Sequence, residues 1–220
     1  MMTSTARELL ETMRTESAGT PTENRLVSAV RDGRAPLAAV AALAAEERHI
    51  IASDRRSFLL LAARAGEPVA VEFFTALAHG ENLVLPMVPA LAAGAGMDQS
   101  ALSAYEPRAG CQAYGAYVAW LALNADPAEV ALALAANFAA WGSYCAALAG
   151  ALRQRYGLDD ASCAFLDFFA APSPELERQA VTASQAALDA GRPLSYARRY
   201  GRLLHGYEMM FWNTLADIPG

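Results

Sequence analysis

The C-terminal run "HGYEMMFWNT", His205 to Thr214, places one carboxylate, Glu208, a single helical turn from Trp212 in an otherwise apolar, aromatic stretch. Leu204, Phe211, Trp212 and Leu215 define an apolar stripe at helical spacing. An acid facing that stripe must be paired or protonated, and its pKa then rises into the range useful for proton transfer at neutral pH. An acid at the stripe's edge is merely solvated, and local context leaves both readings of Glu208 open.

Other polar residues stand in similarly apolar helical stretches. Asp54 lies in "HIIASDRRSFLLLAA", where it reads either as a solvated aspartate beside Arg55 and Arg56 or as an acid turned into the core. Asn137 lies in "LALAANFAAWGSY", with Ala133, Ala140, Trp141 and Tyr144 on its helical face. A buried asparagine needs partners, supplied by the protein or by a ligand. Tyr114, Tyr117 and Trp120 read as core aromatics with one tethered polar atom each.

Composition removes several chemistries. All 17 basic residues are arginine, so Schiff-base catalysis and a lysine-anchored pyridoxal cofactor are impossible. There is no G-x-G-x-x-G, Walker loop, G-x-S-x-G elbow or H-E-x-x-H. A net charge of −6 and a pI of 5.1 weigh against a general nucleic-acid role, leaving only a small basic run around Arg192 to Arg202. Cys111, Cys145 and Cys163 form no C-x-x-C pair and read as reduced, buried thiols of a cytoplasmic protein. The N-terminal "MMTSTARELLETMRTES" carries no secretory core. Ala128 to Leu152 has the length of a membrane span, but it is alanine-dominated and contains Glu129, Asn137, Ser143 and Tyr144. It reads as a helix buried inside a bundle, with no membrane partner.

The elements that must position these residues are all helical. About a quarter of the chain is alanine, and no stretch alternates with period two. Breakers separate segments at about Thr3–Arg14, Glu23–Asp32, Pro36–Ala65, a stretch opening at Pro68 and broken by Pro86 and Pro89, and a connector over Met97–Ala104. Arg108–Leu123, Pro127–Arg155, Asp160–Phe169, Pro174–Ala190 and Leu194–Ala216 follow. The expectation is one all-α bundle of seven or eight helices over residues 23–220. Residues 1–22 form an N-terminal arm that includes a loosely attached helix.

Three stretches carry a resemblance. "YEMMFWNTL" resembles the C-terminal signature of the TenA (thiaminase II) family, whose Tyr-Glu-x-x-Phe-Trp run supplies a catalytic acid. "ASDRRSFLLLAARA" is similar to the family helix whose aspartate grips an aminopyrimidine amine, and "YGAYVAWLALNADPAEVALALAANFAAWGSY" to its middle helix pair. The similarity spans Glu23 to Asp217 and includes PqqC, the pyrroloquinoline-quinone synthase, within the broader haem-oxygenase-like fold.

The resemblance implies Glu208 and Asp54 as catalytic groups, with Tyr114, Asn137, Trp141, Phe169, Ser57 and Trp212 around the ligand. At the family's nucleophilic cysteine this chain has Asn137, or Ala140 in a register shifted by three, neither of them a nucleophile, and Ser57, Trp141 and Phe169 stand where the family has tyrosines. Cysteine-dependent thiaminase chemistry is therefore expected to be absent. What remains suits a flat nitrogen heterocycle related to thiamine metabolism, in a homodimer or homotetramer without cofactor, metal or direct nucleic-acid contact.

Two alternatives are carried. One is a haem-oxygenase-like non-haem iron oxygenase drawing on Glu46, His49, His79, Glu81, His205 and Glu208. The other is a ligand-binding regulator without catalysis, suggested by the family's label of transcriptional activator.

Overall fold

Alanine and leucine lose little side-chain freedom in a helix, so a chain this rich in both resolves its backbone hydrogen bonds locally. The computed structural model describes residues 5–19 and 23–219, and among these there is no strand. Its helices are α1 (Ala6–Ala18), α2 (Arg25–Arg31), α3 (Leu37–Arg64), α4 (Pro68–Val84), α5 (Val88–Gly94), α6 (Gln99–Ser103), α7 (Ala109–Asn124), α8 (Pro127–Tyr156), α9 (Asp160–Ala170), α10 (Pro174–Asp189) and α11 (Ala197–Ala216). Eight of them have eleven residues or more; the short α2, α5 and α6 make up the rest.

The helix ends follow local chemistry. Asp126 accepts the Ala128 amide at 2.8 Å and Pro127 takes the first helical position of α8, where its missing N–H has no partner to lose. The helix stops at Gly157, whose φ of +74° is left-handed. Pro86 and Pro89 break the α4 stretch as expected: α4 ends at Val84, a 3-10 turn covers Leu85–Met87, and α5 restarts at Val88.

Packing closes a ring. α3 lies against α4 and α7, α7 against α11, α11 against α8, α8 against α10, and α10 against α4. α9 and α5 bridge between α8 and α3. Two apolar clusters fill the ring's walls, one around Phe165, Phe211 and Trp212, the other around Leu61, Phe73 and Phe74. The first ten residues of α8 are all buried. Among the described residues α8 is also the one helix long and apolar enough to cross a membrane, and α1, α2, α9, α10 and α11 pack along it.

The N-terminal helix departs from the reading as a loose arm. Thr5 and Glu8 cap α1 reciprocally, and Leu10 and Met13 are buried. Met13 seats over Gly201 of α11, where an added Cβ would come within 2.7 Å of Met13 Cε. Arg14 donates to the Ala135 carbonyl at 3.3 Å and to Glu177 at 2.5 Å. Apolar burial and these donors dock α1 on α8, α10 and α11. The rest of the arm, residues 1–4 and 20–22, lies outside the described residues. The basic run near α11 is partly neutralised: Arg192 pairs with Asp126 at 2.7 Å and with Glu67, and Arg198 pairs with Glu16.

Candidate active-site cavity

The ring encloses a cavity of about 900 Å³, within the range of small-molecule sites. Its floor is one face of α3. Glu47, Ile50, Ile51, Asp54 and Phe58 stand at i, i+3, i+4, i+7 and i+11, so all five share one side of the helix. α11 contributes Glu208 and Phe211, α7 contributes Tyr114, and α8 contributes Asn137, Phe138 and Trp141. Phe168 and Phe169, at the end of α9, complete an aromatic side. Gly142 admits that approach, since a Cβ there would lie only 3.0 Å from the Phe169 carbonyl oxygen.

Glu208 is 2% exposed and held from two directions. Trp212 Nε1 donates to Oε1 at 3.1 Å from one turn along α11, and Asn137 Nδ2 donates to Oε2 at 2.5 Å from α8. Burial raises its pKa to about 7, and the two donors, which favour the charged form, keep it from rising further. The local ambiguity is resolved: Glu208 faces inward.

Asp54 is the opposite case. It is 4% exposed and lines the cavity, and its Oδ1 has no partner. α7 presents Gly115 to it, with a notional Cβ 3.5 Å from Oδ1 and no donor. Burial raises its pKa to about 8. Tyr114 is likewise pushed up by burial, then by Asp54, Glu208, Glu81 and Glu47.

Six of the eight expected site residues meet here: Asp54, Tyr114, Asn137, Trp141, Phe169 and Glu208. Ser57 and Trp212 do not line the cavity. The Ser57 hydroxyl donates back to the Ser53 carbonyl at 3.1 Å, as a hydroxyl within a helix readily does. Trp212 is fully buried behind the wall, where it packs 5.0 Å between centroids from Trp141 and hydrogen-bonds Glu208. No cysteine lines the cavity. Cys145 is fully buried, and burial pushes its thiol well above the usual range.

Sequence reasoning missed Glu47. It lies two turns from Asp54, so the i, i+7 spacing was the available signal. The adjacent Glu46 is also buried, toward different partners. Glu46 accepts the Tyr105 hydroxyl at 2.8 Å, the Arg108 amide at 2.8 Å and the Gln112 amide at 2.5 Å, a clasp between α3 and the start of α7. That occupies one residue of the iron alternative. His49 is exposed and His205 is buried off the cavity, while His79, Glu81 and Glu208 line it. Among the described residues no three His, Cys, Asp or Glu side chains form a metal-binding group.

The profile of the TENA/THI-4/PQQC family matches residues 23–216. The chain belongs to that family. Solved structures similar to this TenA-family chain agree on its fold. A TenA family transcription regulator from Silicibacter sp. is 18% identical, with 98% of each chain covered and a TM-score of 0.74. A domain of unknown function with a haem-oxygenase-like fold from Shewanella denitrificans is 15% identical, covering 95% of this chain and 89% of that one, with a TM-score of 0.70. A TenA homologue from P. horikoshii is 16% identical, covering 96% and 98%, with a TM-score of 0.67. Among curated protein sequences none matches. The TenA-family frame is thus a haem-oxygenase-like helical bundle, with its cavity inside the ring.

Proposed function

We propose that this TenA-like protein holds a flat nitrogen heterocycle of the aminopyrimidine type and hydrolyses a carbon–nitrogen bond on it by acid/base catalysis, without a cysteine nucleophile. The observation that carries the reading is the pair of inward carboxyls, Glu208 fixed by two donors and Asp54 left without any, both lining an aromatic-walled cavity. An unpartnered buried acid is a ready acceptor for a ligand's exocyclic amine. Trp141 and Phe169 offer faces for a planar ring.

A group with a pKa of about 7 is split between acid and base at neutral pH. Glu208 as carboxylate removes a proton from water as the water oxygen bonds to carbon; the carbon–nitrogen bond breaks, and the same proton passes to the leaving amine. Asp54 holds the ring amine and orients it. Asn137 stands where the resemblance puts the family's cysteine, and its amide is spent on Glu208, which supports a route through water rather than through an enzyme thioether.

Isothermal titration of aminopyrimidines, with product analysis by mass spectrometry, tests this. Saturable binding is expected, weakened at least tenfold in Asp54→Ala, together with turnover abolished in Glu208→Ala. Absence of binding by every aminopyrimidine tried would overturn the ligand class. Binding without turnover would leave the regulator reading in its place.

A further inference from the structure

The cavity holds more acid than the chemistry above uses. Glu47 is 5% exposed, Glu81 is half-buried on α4, and both line the same space as Asp54 and Glu208. Neither has a hydrogen-bond or ion-pair partner among the described residues. The guanidinium in the wall, that of Arg14, is engaged by Glu177, Glu11 and the Ala135 carbonyl. Burial pushes both Glu47 and Glu81 up, and each is pushed further by Asp54. Four carboxyls facing one low-dielectric space cannot all ionise when it is empty. A bound cation is what would let them ionise.

A single ammonium does not serve both ends of this arrangement. Glu47 and Asp54 are seven residues apart on α3, about 10 Å along its axis. A metal ion is disfavoured by the same spread, since no three of these groups converge.

We propose that Glu47 and Glu81 supply a second cation subsite, so that the ligand is an organic dication: a flat ring with one basic nitrogen at Asp54 and a second basic arm reaching Glu47 and Glu81. This rests on the heterocycle reading above and narrows it to diamines. Binding discharges protons from the acids that become ionised.

The test compares two probes on one ring: a pyrimidine bearing an aminomethyl group, and the same compound with a 4-aminobutyl chain on its methylene nitrogen. Titration in two buffers of different ionisation enthalpy gives affinity and proton release together. The wild type should bind the dication at least tenfold more tightly, with more protons released. In Glu47→Gln, and separately in Glu81→Gln, the ratio of the two affinities should fall toward one; circular dichroism verifies that each variant is folded, and the second stands in if the first is not. Equal affinities in the wild type overturn the second subsite while leaving the heterocycle reading intact. Failure of both probes to bind overturns both. A stoichiometric metal in purified protein, lost in Glu47→Gln, would also overturn the proposal, because the acids would then be its ligands.

Discussion

Trp212 stands one helical turn beyond Glu208, and its indole Nε1 donates to Glu208 Oε1 at 3.1 Å from a fully buried position. The ring never meets the cavity, yet it sets the state of the acid that does. Trp212→Phe removes a donor that favours the carboxylate, so the Glu208 pKa should climb from about 7 by roughly one unit. Carbon-13 NMR titration of labelled glutamate carboxyls reads this directly. An unmoved or lowered midpoint would mean that the indole does not tune the acid.

Stability should fall with alkaline pH. Asp54 and Glu208 have folded pKa values near 8 and 7, raised by burial above their unfolded values near 3.8 and 4.5. The native state therefore binds more protons than the unfolded chain, and stability is lost as pH rises through the folded pKa values. Thermal melting between pH 6.5 and 9 should show a declining Tm, flattened in Asp54→Asn. His205, whose pKa is lowered by burial, acts only on the acid side of that window. A Tm that is flat or rises across it contradicts the assignment.

Asn137→Cys should place a thiol in the cavity wall. The three native cysteines are buried, so iodoacetamide should label position 137 selectively. Excess aminopyrimidine should slow that labelling several-fold, with at most feeble turnover, because Ser57, Trp141 and Phe169 supply no orienting phenol. Peptide mapping follows the site. Labelling indifferent to ligand would detach residue 137 from the binding space.

The homodimer or homotetramer expected from the family resemblance has a candidate surface. Trp120 and Leu123 on α7, and Leu203 and Met210 on α11, are 48%, 67%, 38% and 46% exposed on helices that pack together. Light scattering should give a multiple of 23.3 kDa, reduced by the double substitution Trp120→Ser and Leu123→Ser. A 23.3 kDa wild type would remove the expectation.

The helical frame was readable because its signals are local. Proline at helix starts, Gly157 after α8 and the prolines dividing α4 from α5 each act within a few residues. The apolar stripe narrowed Glu208 to two readings without choosing between them; the choice comes from Asn137 on another helix, which local sequence does not place beside it. Ser57 and Trp212 were misplaced because spacing gives the face of a helix but not the rotamer, and a serine hydroxyl can satisfy itself on its own backbone. Glu47 escaped notice, and Glu81 was read only as a candidate iron ligand, because their common role depends on α3 and α4 facing one void, a relationship between elements that no single window of sequence contains.

The family profile begins at residue 23, yet Arg14, from the helix before it, forms part of the cavity wall. The shared architecture and the ligand chamber therefore have different edges. Chains alike across the whole matched span can still differ in what they admit, if their leading helices differ. Selectivity in such a protein can be rewritten from its terminus, by grafting or trimming a single peripheral helix, while the ring that holds Glu208 against Asn137 keeps its own sequence.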